Sequence, residues 1–482
     1  MNSSLSHSGT LAPSHFSRRD FLRTAGGGFG ALALSALTAS ETQASEAKVV
    51  SDLLAPKEPQ FKATAKRVIF LFMEGGPSHV DLTDPKPELT KRNGTPLPAS
   101  FGKVITPMGT GGNNLLASKR KFAKCGKSGL DFSDWLPHLS TCADDFTLLR
   151  ACWADGLNHV GSVCQMNTGS ILAGRPSLGS WALYGLGSVN RNLPGFVVFA
   201  EGGGQIFGGA RNWATGYMPA TYQGTYFSSG PAPILNLDTP ADVGSARQRE
   251  KLNLIGELND LHRKDRPGDT QLDARRAAYE LAYRMQASAP EAVDLTQETE
   301  KTKEAYGLNR KETAEFGTRC LLARRLIERG VRFVQVYCGA GSQWDAHADI
   351  EGNHTKMCLR SDKPSAALIQ DLKQRGLLDD TLVIWGGEFG RTPMTEGTSG
   401  RDHNPYGFSM LMAGGGVKGG FVHGRTDEFG LHGVEGRVHV HDFHATILHL
   451  LGFDHEKLTF RHNGKDERLT DVKGKVVREI LA

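Results

Sequence analysis

Carboxylates and imidazoles recur in this sequence at the ends of apolar runs, a pattern suited to holding a cation. Glu74 follows residues 67–73 and leads into Gly75-Gly76-Pro77-Ser78, with Asp81 beyond. Asp345 and His347 stand in Trp344-Asp345-Ala346-His347, shortly after residues 331–338. Glu388 follows residues 381–387 and opens Glu388-Phe389-Gly390-Arg391-Thr392-Pro393, with Gly400-Arg401-Asp402-His403 close behind. A fourth segment starts at Asn158-His159 and runs through Ser162 to Asn167-Thr168-Gly169. Carboxylates that converge repel one another, and a cation among them removes that cost. Imidazole with carboxylate suits zinc or manganese best, with iron or calcium as alternatives. Such an ion polarises a phosphoryl or sulfuryl oxygen, or acidifies a bound water. Arg391 and Arg401 carry the planar fork that grips an anionic ester. The metal set expected on this reasoning is Glu74, His159, Asp345, His347, Glu388 and His403.

Each of these residues has a plainer reading when taken singly. Asp345 and His347 could be a hydrogen-bonded pair in a loop, and Glu74 could cap the adjoining turn. The glycine pairs Gly75-Gly76 and Gly386-Gly387 could be simple turns. His423, His432, His439, His441, His444 and His449 read as surface or structural residues. What favours a site is the coincidence of the acids at strand ends. His159 is then a ligand or a general base, Ser162 is the first hydroxyl to test as a nucleophile, and Arg391 holds the anion.

The pattern around these groups indicates the elements that must position them. Residues 67–73, 146–152, 195–200, 331–338 and 381–387 are short apolar runs, which read as buried strands. Helical spacing marks residues 246–285, broken near Pro267-Gly268, and residues 312–329, 363–375 and 441–451. Strands that alternate with helices predict an α/β fold, a doubly wound and mostly parallel sheet flanked by helices. Such sheets bind ligands beyond the carboxyl ends of their strands, where the acids stand. Residues 64–482 are expected to form this domain, 45–63 a linker, and the Gly- and Pro-rich stretch near 201–245 an insertion or lid. The 482 residues are 39% apolar and 22% charged with a net charge of +4. No basic block stands out, which argues against nucleic acid as a partner.

Residues 1–44 read as a twin-arginine signal. Arg18-Arg19 is followed by Phe21-Leu22 and a Gly/Ala-rich apolar stretch, with a small-residue cleavage site near Ala44. That stretch is too short and glycine-rich to span a membrane, and no later run is long enough. The expected location is periplasmic or secreted, with the twin-arginine machinery as an export partner. The seven cysteines include no Cys-x-x-Cys pair, and disulfides stay open.

From residue 67 to the C-terminus, the chain resembles a family of exported sulfatase-like proteins of unknown function within the alkaline phosphatase superfamily. Its landmarks are Glu74-Gly-Gly-Pro-Ser-x-x-Asp81, Trp344-Asp-x-His347, Glu388-Phe-Gly-Arg-Thr-Pro393 and Gly400-Arg-Asp-His403. The resemblance implies an alkaline phosphatase-like fold, with Glu74, Asp345, His347, Glu388 and His403 at positions that resemble the superfamily's ligands. It also shows departures. Phe389 replaces a histidine ligand, and His159 falls where sulfatases carry Cys or Ser. Cys164 lacks the Pro and Arg that formylglycine conversion reads. The implied activity is an exported metal-dependent hydrolase of phosphate or sulfate esters on an anionic substrate that includes glycans. The alternatives are a non-catalytic metal-containing binder of sulfated or phosphorylated glycans, and a phosphosugar mutase with a covalent histidine intermediate.

Overall fold

The computed structural model describes residues 52–482, apart from 202–204, 229–232, 235–236, 238–242 and 267–269. The twin-arginine segment and the expected break at Pro267-Gly268 lie outside the described residues. The strands of the main sheet and the site are β1 Arg67–Met73, β2 Phe146–Trp153, β3 Phe196–Ala200, β4 Thr225–Ser228, β5 Phe333–Cys338 and β6 Thr381–Gly386. They continue as β7 Gly390–Glu396, β8 Gly400–Asn404, β9 Phe408–Ala413, β10 Phe421–His423 and β11 Val438–His439. A nine-stranded sheet runs β10-β2-β9-β6-β1-β5-β3-β4, with β11 also paired to β2. Every strand in it is parallel to its neighbours except β9, which opposes both β2 and β6. β7 and β8 form a separate antiparallel hairpin.

Strand β1 shows why the sheet is covered on both faces. Successive side chains of a strand point to opposite sides. Ile69, Leu71 and Met73 join one core with residues of Lys311–Glu328 and Ile350–Gln374, here α5 and α6. Val68, Phe70 and Phe72 join a second core with Leu178–Leu186 and Val440–Leu450, here α2 and α7. A continuous apolar run is the sequence form of that double burial. Truncating a residue such as Leu71, fully buried, to Ala costs about 2–5 kcal/mol. Three further helices are α1 His159–Thr168, α3 Ser245–Lys264 and α4 Thr270–Val293.

Two expectations change. The helix expected over 363–375 begins at Ile350, where Asp349 caps it by accepting from Gly352 N–H at 3.1 Å. Pro364 lies inside it. Buried Ile350, His354, Met357, Cys358, Ser361 and Ser365 recur at helical spacing and carry the helix through the lost donor. The stretch near 201–245 is not only an insertion, because β4 pairs parallel with β3 and ends the sheet. Among the described residues, no helix is long and apolar enough to cross a membrane. All seven cysteines are free thiols.

Candidate metal centre

The sheet delivers the candidate residues to one end. Glu74 directly follows β1, Glu388 follows β6 after one residue, and the loop after β5 carries Asp345 and His347. His403 lies on β8. His159 is the first residue of α1, which Asn158 caps by accepting from Gly161 N–H at 3.0 Å. Gly75, at φ +117°, lets the loop approach: a Cβ there would lie 2.6 Å from the backbone nitrogens of Trp344 and Asp345.

Four of the expected ligands converge. His159, Asp345, His347 and His403 each offer one donor atom, and these atoms lie within 4.8 Å of one another. In all three histidines, Nδ1 is engaged away from the centre. His159 Nδ1 meets Glu388 Oε1 at 2.7 Å, His347 Nδ1 meets Glu396, and His403 Nδ1 meets Leu157 O at 2.9 Å. Their Nε2 atoms therefore face Asp345. The approaches are 3.1 Å from His159 to Oδ2, 2.9 Å from His347 to Oδ1 and 3.4 Å from His403 to Oδ1. Those of His159 and His403 are charge contacts without hydrogen-bond alignment: both Nε2 atoms and Asp345 Oδ1 are buried with no hydrogen-bond partner. Buried polar atoms left unpaired are costly and uncommon. Orientation of each imidazole through its second nitrogen is how proteins prepare histidine for a metal. The donor set thus fits a divalent ion of the zinc or manganese type.

The electrostatics have the same origin. Burial alone would raise the Asp345 carboxyl, but contacts from His159, His347 and His403 and the charge of Arg391 hold it well below the usual range. Burial works to lower His159, yet its contacts with Asp345 and Glu388 outweigh it and raise the pKa to about 9. His347 is raised chiefly by its contact with Asp345. His403 is lowered, first by burial. Burial, then the charge of Glu388, push Glu74 up to about 8 against opposing backbone hydrogen bonds. Ion binding at Nε2 of His159 displaces its proton, so affinity should rise with pH.

The other expected site residues are placed differently. Glu388 stands behind His159 and also accepts from Gly75 N–H at 3.0 Å. Glu74 is held by the Phe207 and Gly341 N–H groups at 2.6 and 3.0 Å. Arg391 is fully buried and committed to the carbonyls of Gly76, Arg401 and Gly75 and to Asp345, so it braces that carboxylate instead of facing an ester. Arg401 is equally buried against Asp81, at 2.8 and 3.2 Å. Ser162 Oγ is buried against Gly156, one helical turn beyond His159. Burial raises the Cys164 thiol, which contacts Thr168. His441 and His444 bond the carbonyls of Gly169 and Met166, and His439 caps α7, which bears out their structural reading. Sequence reasoning missed Glu396 and the Leu157 carbonyl, the orienting groups for His347 and His403. No spacing signal marks either one.

The fold and site define a mostly parallel α/β protein with a candidate metal centre of three histidines and one aspartate at its strand ends. The chain belongs to the family described as Protein of unknown function (DUF1501), whose model matches residues 65–481. No curated protein matches the sequence. Among solved structures it is similar to the PsFucS1 sulfatase from Pseudoalteromonas sp., at 11% identity and TM-score 0.38, over 87% of this chain and 72% of that one. It is similar to the lipoteichoic acid synthase LtaP from Listeria monocytogenes, at 10% identity and TM-score 0.35, over 88% of this chain and 80% of that one. A mutant of TAB5 alkaline phosphatase with Mg bound in its M3 site gives 11% identity and TM-score 0.31, over 73% and 92%. At these values the likenesses assign nothing to this chain.

Proposed function

We propose that this protein is an exported, metal-dependent hydrolase of phosphate or sulfate esters, acting in the periplasm or outside the cell after passage through the twin-arginine machinery. The observation that carries the reading is the convergence of His159, Asp345, His347 and His403, three of which contribute a buried atom with no hydrogen-bond partner. These four residues would hold the ion, zinc or manganese being best suited, with iron or calcium as alternatives. When bound, the ion would polarise the ester oxygen or acidify a water. Glu388 and Glu396 fix the rings of His159 and His347 through Nδ1, as the Leu157 carbonyl does for His403. Phe389 stacks on His403 at 4.4 Å and lies 5.0 Å from His159, excluding water from one side of both rings. His159 uses Nε2 either as a ligand to the ion or, left uncoordinated, to accept or return a proton there, since its Nδ1 is taken by Glu388.

The test is turnover of aryl phosphates and aryl sulfates by the protein reconstituted with each of the four metals. The expected result is hydrolysis of one ester class, reduced roughly 100-fold or more in Asp345→Asn, since even supporting residues of metal sites are worth 10–100-fold. Stoichiometric metal with no turnover of either class would overturn it. A second reading, a non-catalytic metal-containing binder of sulfated or phosphorylated glycans, is favoured by one observation. The arginines expected to grip the ester are buried in other contacts.

A further inference from the structure

A cavity of about 1030 Å³ opens beside the metal centre. Its lining includes Val160, Phe207, Arg211, Trp213, Tyr226 and Gly341. Residues of its lining touch the neighbourhood of the centre. The Phe207 ring stacks on His159 at 5.5 Å and 27°, and its backbone N–H donates to Glu74. Gly341 N–H donates to the same carboxylate. The cavity therefore adjoins the metal centre, with the Phe207 ring as the wall between it and His159.

The lining is apolar where it meets solvent. Val160, Phe207 and Tyr226 are 45%, 37% and 43% exposed, large values for such side chains beside a polar site. Tyr226 is stacked on Trp213 at 6.5 Å and 25°, so the pair offers one outer aromatic face. Arg211 is exposed and has no carboxylate partner among the described residues. A one-sided aromatic face in an open cleft suits the C–H face of a sugar ring, whose other face stays in water. An unpaired guanidinium suits a second sulfate or phosphate. The volume is at the upper end for drug-sized ligands, large enough for more than one ring.

We infer that this cavity is a saccharide subsite, seating a sugar ring on Tyr226 and Phe207 and gripping a second sulfate or phosphate on the same saccharide through Arg211. The inference rests on the ester-hydrolase reading for the identity of the group at the metal centre, and it narrows that substrate to a multiply anionic saccharide.

The test separates the two. Full-length protein stripped of metal by chelator is titrated calorimetrically with a disulfated disaccharide and its desulfated counterpart, beside adenosine monophosphate. Arg211 and Tyr226 are exposed and lie outside the metal centre, so Arg211→Gln and Tyr226→Ala should fold, as circular dichroism checks. The expected result is preference for the disulfated sugar, weakened about tenfold or more in Arg211→Gln. Tyr226→Ala should weaken both sugars by roughly 3–10-fold. Equal binding of both sugars, unchanged binding in Arg211→Gln, or tighter binding of the nucleotide would overturn the subsite. Turnover of aryl esters after metal is restored reads the hydrolase separately. Sugar binding without turnover counts against the hydrolase alone, and turnover without sugar binding counts against the subsite alone.

Discussion

Two carboxylates at neighbouring strand ends, one buried and one half-buried, are treated in opposite ways. Glu201 follows β3, and the chain neutralises it from within. Its oxygens accept from Arg319 at 3.2 Å, Arg360 at 3.0 Å, Gly339 N–H at 3.0 Å and Gln343 at 2.9 Å. Asp345, in the loop after β5, is faced by three imidazoles whose nearest atoms are close but mostly unaligned. Arg391 touches it as well, but that guanidinium is shared with three carbonyls. A carboxylate that needs only stability is given arginines, whose charge is permanent. One that must exchange a proton for an ion is given histidines, which can lose theirs.

The largest effect expected from this contrast lies on the Glu201 side. Arg319→Met leaves that carboxylate underpaired in a buried site and should cost about 3–5 kcal/mol. Urea denaturation should show the same loss with and without chelator. A loss under about 1 kcal/mol would mean Glu201 is screened like a surface group, and the contrast would fail. On the Asp345 side, Glu396→Ala should leave the fold intact but weaken metal binding about 10–100-fold, because His347 loses its orienting acceptor. Competition with a chelator of known affinity measures this. Unchanged affinity would remove His347 from the ligand set.

The smallest effect concerns a histidine outside both regions. His354 is fully buried, its Nε2 accepts from Ser78 N–H at 2.9 Å, and burial lowers its pKa to about 3. The folded value lies below the unfolded one of about 6.5. Its contribution to stability is therefore complete above pH 6.5 and is lost as pH falls from there toward 3. The slope is about 1.4 kcal/mol per pH unit for this one proton. Denaturation midpoints between pH 7 and 5 should fall less steeply in His354→Asn than in the natural chain, and equal slopes would contradict this.

Legibility in the sequence depended on whether a feature is local. The strands around Glu74, Asp345 and Glu388 were visible because double burial writes itself as an apolar run. Strand β9, Phe408–Ala413, has such a run too, but its antiparallel direction is set by pairing with β6 and with β2, the latter far earlier in the chain. Strand β11 is two residues long and carries no periodicity. The helix from Ile350 was hidden behind Pro364.

Within the site, residue types were readable and side-chain directions were not. Glu388 reads as a ligand from its position after a strand, and only the fold shows its carboxylate occupied by Gly75 and His159. Arg391 and Arg401 likewise look like anion grips. Their partners are the carbonyls of Gly75 and Gly76 and the carboxylate of Asp81, more than 300 residues earlier. The sequence landmarks at 74–81, 388–393 and 400–403 are therefore joined to one another, and part of their role is to hold the site together.

The most direct test of the central claim is elemental analysis of the purified, chelator-free protein beside His403→Ala. The account predicts at least one tightly held zinc, manganese or iron atom per chain, lost in the variant while the fold persists by circular dichroism. Protein that holds no metal even after reconstitution, or a variant that keeps it fully, would contradict the account.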